Sequence, residues 1–250
     1  MLTLVLTRHG LTERSVPEQH LGQHLDVSIS DDGRRQAAAL AKRLAGVRFD
    51  RAITSPLFRA RETAEIIAAS TSGPDGRGDP VIDADPRLRE MDYGAWEGRT
   101  YEEIEASDGA YRREFEASPD QLSCPGGESG LDVADRVRSF LSDLLDEHRS
   151  WRARASFRAA TSAPGAAGQR LERPVLAVGH ATTNRILLCV ALGVSVAEYR
   201  RRFIQDPANL TVLRWQPDAA ADEAMLLVMN DRSHLVSARD AGSAAWEHDD

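Results

Sequence analysis

Hydrophobic positions follow two alternating rhythms along the chain. Short apolar runs at 2–7, 51–54, 81–84 and 174–178 have the length and β-branched content of buried strands. Between them, apolar residues fall three and four apart. The stretch 34–46 follows Ser30-Asp31-Asp32-Gly33, a capping hydroxyl and two acids, and stops at Gly46. It predicts a helix with an alanine-rich face. In the stretch 57–70, Leu57, Ala60, Ala64 and Ile67 share one helical face behind Ser55-Pro56. That pair predicts a helix start, with Ser55 as N-cap and proline in the first turn. Further helices are predicted at 100–117, 131–148, 181–192 and 196–203, and two late strands at 211–215 and 225–229.

Strands alternating with helices predict an α/β fold, a three-layer α/β/α arrangement with a mostly parallel central sheet. The segment 153–171, rich in Ala, Arg, Ser and Gly, breaks the rhythm. It reads as a flexible insertion within a single domain spanning 1–240, with 241–250 as a tail.

Composition narrows the function. Lys plus Arg total 31 against 39 Asp plus Glu, a formal net charge of −8. That argues against nucleic-acid partners, which need a basic face. It leaves room for an anionic substrate, because a pocket can be positive in an acidic protein. The two cysteines, Cys124 and Cys189, lack metal-site spacing and read as buried free thiols. The apolar stretch 2–6 is too short for a signal peptide, and no run approaches the roughly 18 apolar residues of a membrane span. A cytoplasmic location with no membrane partner is therefore expected.

The polar residues at the strand ends carry the chemistry. One strand ends at Arg8-His9, another at Thr54-Ser55 just before Arg59, and a third at Gly179-His180. In a parallel sheet the strand carboxyl ends share one edge, where ligands bind. Two arginines and two histidines would meet there. Guanidinium forks match phosphate oxygens, and a neutral imidazole can be the nucleophile in covalent transfer. Glu90, Asp92 and Glu97 follow the third strand, and composition alone does not say which donates a proton. His20 and His24 lack an obvious third metal ligand and read as pocket-rim or surface residues. Trp96, Tyr101, Tyr111 and Phe115 read equally as a substrate entrance or a small core cluster.

RHGLTE at 8–13, LGQHLDVSISDDGRRQA at 21–37, TSPLFRARETAE at 54–65, LREMDYGAWEG at 88–98, PGGES at 125–129 and VGHAT at 178–182 occur in this order. The set resembles the motifs of the histidine phosphatase superfamily, also called phosphoglycerate mutase-like. The resemblance implies that fold and a phosphatase acting on a small phosphorylated metabolite. His9 would be the nucleophile that becomes phosphohistidine. Arg8, Thr12, Arg59 and His180 would surround the substrate, and Glu90 would protonate the leaving group and then activate water. Gly10 would let the backbone pass close to the phosphate. The resemblance calls for no metal and no cofactor, and it makes a homodimer an expectation.

The sequence departs from the family at Leu11, Arg14, Ser15, Ala181 and Thr182, positions that bear on substrate identity. Arg14, Ser15 and the short span from Glu90 to Pro125 favour hydrolysis over a bisphosphoglycerate-dependent mutase. A phosphate-binding module without turnover is the remaining alternative.

Overall fold

The computed structural model describes residues 1–15, 18–73, 78–161 and 173–235. Six strands, β1 (Leu2–Arg8), β2 (Arg51–Thr54), β3 (Ile82–Ala84), β4 (Arg173–Gly179), β5 (Leu210–Trp215) and β6 (Met225–Asp231), form one sheet in the order β3-β2-β4-β1-β5-β6. β1, β2, β3 and β4 are mutually parallel, and β5 runs antiparallel to β1. Among the described residues six α-helices flank the sheet: α1 (Asp31–Arg43), α2 (Phe58–Ala68), α3 (Tyr101–Ala117), α4 (Gly130–Thr161), α5 (Ala181–Ala191) and α6 (Tyr199–Arg202).

Side chains alternate across a strand, so each face of the sheet gathers its own core. Leu2, Leu4 and Leu6 of β1 pack with α4 and α5 through Val137, Leu141, Ile186 and Leu187. Val5 faces the other way, onto Leu40 and Ala41 of α1 and Ala60, Ala64 and Ile67 of α2. Burying each Leu or Ile contributes about 1.5–3 kcal/mol, which lets both layers hold the strand tips rigid.

Local signals set most boundaries. Ser30 caps α1 by accepting the Gly33 N–H at 3.1 Å. Thr100 and Glu103 form a reciprocal capping box at α3. The start of α2 departs from the sequence reading: its N-cap is Leu57, not Ser55. The cap comes from across the fold, where Asp26 Oδ1 accepts the Phe58 N–H at 2.7 Å. The 196–203 helix is a single turn of 3-10 helix, Val196–Glu198, running into α6. Helix α4 is longer than its pattern predicts and continues through Ala153 to Thr161, over the first part of the segment read as a flexible insertion. The rest of that segment and the 241–250 tail lie outside the described residues. Cys124 and Cys189 are both free and buried.

Candidate active site

The register of the sheet brings the working residues together. Arg8 sits opposite Gly179, and Thr54 opposite Val178. The backbone bonds continue past the strands: His9 N–H donates to Gly179 O at 3.0 Å, and Ser55 N–H to Val178 O at 2.9 Å. Residues 9, 55 and 180 therefore leave the sheet side by side. The His9 and His180 rings lie 5.1 Å apart between centroids. Gly10 is tight against α1, where a side chain would collide with the Gly33 carbonyl.

His9 is buried, with Nδ1 at 2.7 Å from the Gly10 carbonyl. A carbonyl only accepts, so Nδ1 carries the proton, and in the neutral ring Nε2 holds a free lone pair. Burial, then the Arg59 and Arg8 guanidiniums, hold the His9 pKa well below the usual histidine value. His180, the N-cap of α5, is fully buried and lowered in the same way, by burial first and then by Arg59.

Arg59 is wholly buried in the first turn of α2. Its Nη2 donates to Gly22 O at 2.6 Å and its Nη1 to Leu25 O at 3.2 Å. Arg8 Nη1 donates to Gln205 O at 3.1 Å. Arg8 Nε, Arg59 Nε and both ring nitrogens of His180 are buried polar atoms with no protein partner. Their convergence is the pattern of a site whose remaining partner is a polar ligand. Arg61, the neighbouring arginine, pairs with Glu65 on the helix exterior.

Of Glu90, Asp92 and Glu97, only Glu90 lines the cleft. Its Oε1 accepts from Met91 N at 2.9 Å and Thr183 N at 3.1 Å, and its Oε2 from Thr182 N at 3.2 Å. The carboxylate thus sits on the N-terminus of α5, where the helix dipole favours an anion. Arg136, paired with Glu128, holds the backbone behind it through the carbonyls of Arg87, Arg89 and Glu90 at 2.6, 2.8 and 3.1 Å. Asp92 pairs with His24 at 3.4 Å, and Glu97 accepts backbone N–H groups of the 23–25 loop. His24, Asp92 and Glu97 bring ligand-type atoms within 4.8 Å of one another, on an exposed rim outside the cleft.

Arg8, His9, Arg59 and Glu90 face a cleft of about 980 Å³, and the buried His180 ring adjoins that of His9. Thr12 does not join them. Its hydroxyl lies 3.1 Å from Ser15 Oγ and accepts the Arg14 N–H, folding the turn after β1. The aromatic set divides: Tyr101 lines the cleft, whereas Trp96 packs against Phe115 and Tyr111, at 5.4 and 6.1 Å.

Beside Arg14 and Thr182, the outer cleft holds residues that sequence reasoning missed: Arg112, Arg185, Arg200 and Arg201, with Tyr93. They come from separate segments without a shared motif. The one available signal was spacing, since Ala181 and Arg185 are four apart and share a helix face. His20 lies at 4.4 Å from the Tyr93 ring and 4.8 Å from Tyr101, and burial lowers its pKa to about 4.

The depressed histidines have a stability consequence. Between their folded values and the unfolded value near 6.5, the unfolded chain binds the extra protons, so stability falls as pH drops through that window. Each of His9, His180 and His20 is expected to cost up to about 1.4 kcal/mol per pH unit below 6.5. Urea unfolding at pH 7.5, 6.5 and 5.5 should show a flat upper limb and a falling lower one. Stability unchanged from 7.5 to 5.5 would contradict the burial of these rings as neutral groups.

Residues 4–226 match the family model described as "Histidine phosphatase superfamily (branch 1)", which takes in both strand-tip histidines and the cleft. The chain belongs to the histidine phosphatase superfamily. Relatives by sequence include the glucosyl-3-phosphoglycerate phosphatase of Mycolicibacterium vanbaalenii, 35% identical over 86% of this chain and 92% of that protein. Phosphoserine phosphatase 1 of Hydrogenobacter thermophilus is 29% identical over 94% of this chain and 95% of its own. Among solved structures, native mycobacterial glucosyl-3-phosphoglycerate phosphatase superposes with a TM-score of 0.73 at 30% identity, covering 91% of this chain and 98% of that one. This histidine phosphatase is a hydrolase with the phosphoglycerate mutase-like fold. Among the described residues no helix is long and apolar enough to cross a membrane.

Proposed function

We propose that this histidine phosphatase hydrolyses a small phosphomonoester carrying a second anionic group, through a phosphohistidine on His9. The observation that carries the reading is the tautomer of His9: a buried neutral ring with Nδ1–H tied to Gly10 and Nε2 unencumbered between two guanidiniums. Nε2 attacks phosphorus as the ester P–O bond breaks. Arg8 and Arg59 take the charge on the phosphoryl oxygens, and His180 donates from a neutral ring N–H. Glu90, in its protonated form, gives its proton to the leaving alkoxide. The resulting carboxylate then takes a proton from water as the oxygen attacks phosphorus and the P–N bond breaks, which restores His9 and releases phosphate.

The second anionic group follows from the outer cleft. Beyond Arg8, Arg59 and Glu90, the described lining has five arginines against two glutamates in a chain of net charge −8. Several are already engaged: Arg112 pairs with Glu116 at 3.0 Å, and Arg201 with Glu198 at 3.9 Å. Arg185 Nε is buried with no hydrogen-bond partner among the described residues. The substrates in the relatives' names, glucosyl-3-phosphoglycerate and phosphoserine, each place a carboxylate near the phosphate. That chemistry suits a guanidinium beyond the phosphoryl clamp.

The test is phosphate release from phosphoserine, phosphoglycerates and their glycosides alongside phenyl and glycerol phosphates. Arg185→Leu should raise KM for the carboxylated esters about 10–100-fold, the worth of a charge-assisted contact, and leave phenyl phosphate within about twofold. An equal rise for all substrates would dismiss the second-anion reading. Isomerisation of 3-phosphoglycerate primed with its bisphosphate, without release, would place the protein with the mutases.

A further inference from the structure

Glu97 lies outside the cleft, yet it reaches Arg59 through a single peptide group. Its Oε1 accepts the Gln23 N–H at 2.7 Å, and Oε2 accepts the N–H groups of His24 and Leu25 at 2.8 and 3.2 Å. Three successive amides thus converge on one carboxylate. On the opposite edge of the same amide plane as Gln23 N–H is the Gly22 carbonyl, which accepts Arg59 Nη2 at 2.6 Å. Leu25, whose N–H Glu97 holds, gives its carbonyl to Arg59 Nη1 at 3.2 Å. Carboxylate, amide and guanidinium form one continuous hydrogen-bonded chain.

From this arrangement we infer that Glu97 is a positioning residue for Arg59, acting through the Gly22–Gln23 peptide. It rests on the reading of Arg59 as a phosphoryl ligand. A buried guanidinium needs compensation, but a carboxylate in direct bidentate contact would compete with phosphate for the same fork. Glu90 and Asp26 supply the larger direct attraction, and neither occupies the fork: Glu90 is held by the α5 amides, and Asp26 stands off at 3.9 Å from Nη1 and caps α2. Placing one amide between Glu97 and Arg59 avoids that competition. The amide is polarised by the carboxylate on one side, so its carbonyl is a stronger acceptor on the other. The two carbonyls engage one N–H on each terminal nitrogen and fix the plane of the fork. Nε–H and the other terminal N–H groups remain for the ligand. Gly22 is part of the device: its φ of +54° is in the left-handed region, and a side chain there would collide with the Glu97 carboxylate.

The experiment is calorimetric binding of inorganic phosphate to the full chain, with a double-mutant cycle. Glu97→Gln places an amide NH₂ against backbone N–H donors and should weaken phosphate binding about 10-fold. In an Arg59→Lys background, which has no fork to orient, the same change should cost less than twofold. In an Arg8→Lys background the full loss should persist. Uniform losses in all three backgrounds, or a lower Tm with unchanged phosphate affinity, would reduce Glu97 to a structural residue and overturn the inference. Should Glu97→Gln fail to fold, Glu97→Asp and Gly22→Ala disturb the same chain while keeping the charge, and each should give a smaller loss with the same dependence on Arg59. Phosphate binding by native protein that turns over no ester would refute the phosphatase reading and leave this cycle readable. No phosphate binding by native protein would sink both.

Discussion

Replacing His9 with alanine should lower phosphate release by at least about 10⁴-fold, the order expected when a covalent nucleophile is deleted. The size follows from the absence of a substitute. His180 is the only other imidazole at the clamp among the described residues, and its fully buried ring is centred 5.1 Å from that of His9. Arg8 and Arg59 stay charged and cannot attack. The variant should still bind inorganic phosphate, because both guanidiniums remain. Its stability should hold near neutral pH, since the lost ring was a neutral group held between two cations. Quenching native enzyme during turnover should trap an acid-labile, alkali-stable phosphoryl group on the 8–9 peptide, absent in His9→Ala. Turnover above a tenth of native in the variant would refute the mechanism.

Replacing Glu90 with glutamine should slow turnover of alkyl phosphates by about 10²–10⁴-fold, the usual worth of a positioned general acid–base group. An aryl ester with an acidic leaving group needs no protonation, so its first step should proceed nearly as in the native enzyme. The second step still requires a base for water. Glu90→Gln should therefore release one nitrophenolate per site in a burst and then turn over slowly, as stopped-flow absorbance at high enzyme concentration would show. A uniformly slow trace without a burst would argue against leaving-group protonation as the role of Glu90. A stability cost accompanies this change. Glu90 accepts N–H groups from Met91, Thr182 and Thr183, and a glutamine turns one of those acceptors into a donor. About 1–3 kcal/mol should be lost for the unmatched bond. Comparing Tm with and without phosphate separates that cost from the kinetic effect.

Much of the site was legible because its information is local. A strand-length apolar run ending in Arg8-His9 marks a tip whatever surrounds it. The same holds for Gly179-His180 and for Arg59 in the first turn of a helix. These residues needed only the rule that parallel strand ends share an edge, and the β1–β4 and β2–β4 registers supply it. The reading of Glu90 over Asp92 and Glu97 was harder. All three are carboxylates on one loop, and the choice turns on where the N-terminus of α5 lies, a segment some 90 positions away. Thr12 shows the converse. It stands in a motif, but the turn after β1 uses its hydroxyl internally.

The N-cap of α2 shows the limit of local rules. Ser55-Pro56 looks like a cap, yet Asp26 satisfies the Phe58 N–H from a distant loop, and the helix starts later. Local propensity ranks the options, and tertiary partners with equal or better hydrogen bonds decide among them.

Read along the chain alone, the residues yield the strands, most helices, the layered α/β class and the arginines and histidines at the strand tips. Those follow from side-chain periodicity and from residue types whose chemistry is intrinsic. The tautomer of His9, the anchoring of Glu90 on α5, the chain from Glu97 to Arg59 and the arginine-lined outer cleft emerge from packing. Each of these is a relation between segments far apart in sequence. Hydrogen-bond geometry and burial exist only once the segments are packed, and no periodicity along the chain records them.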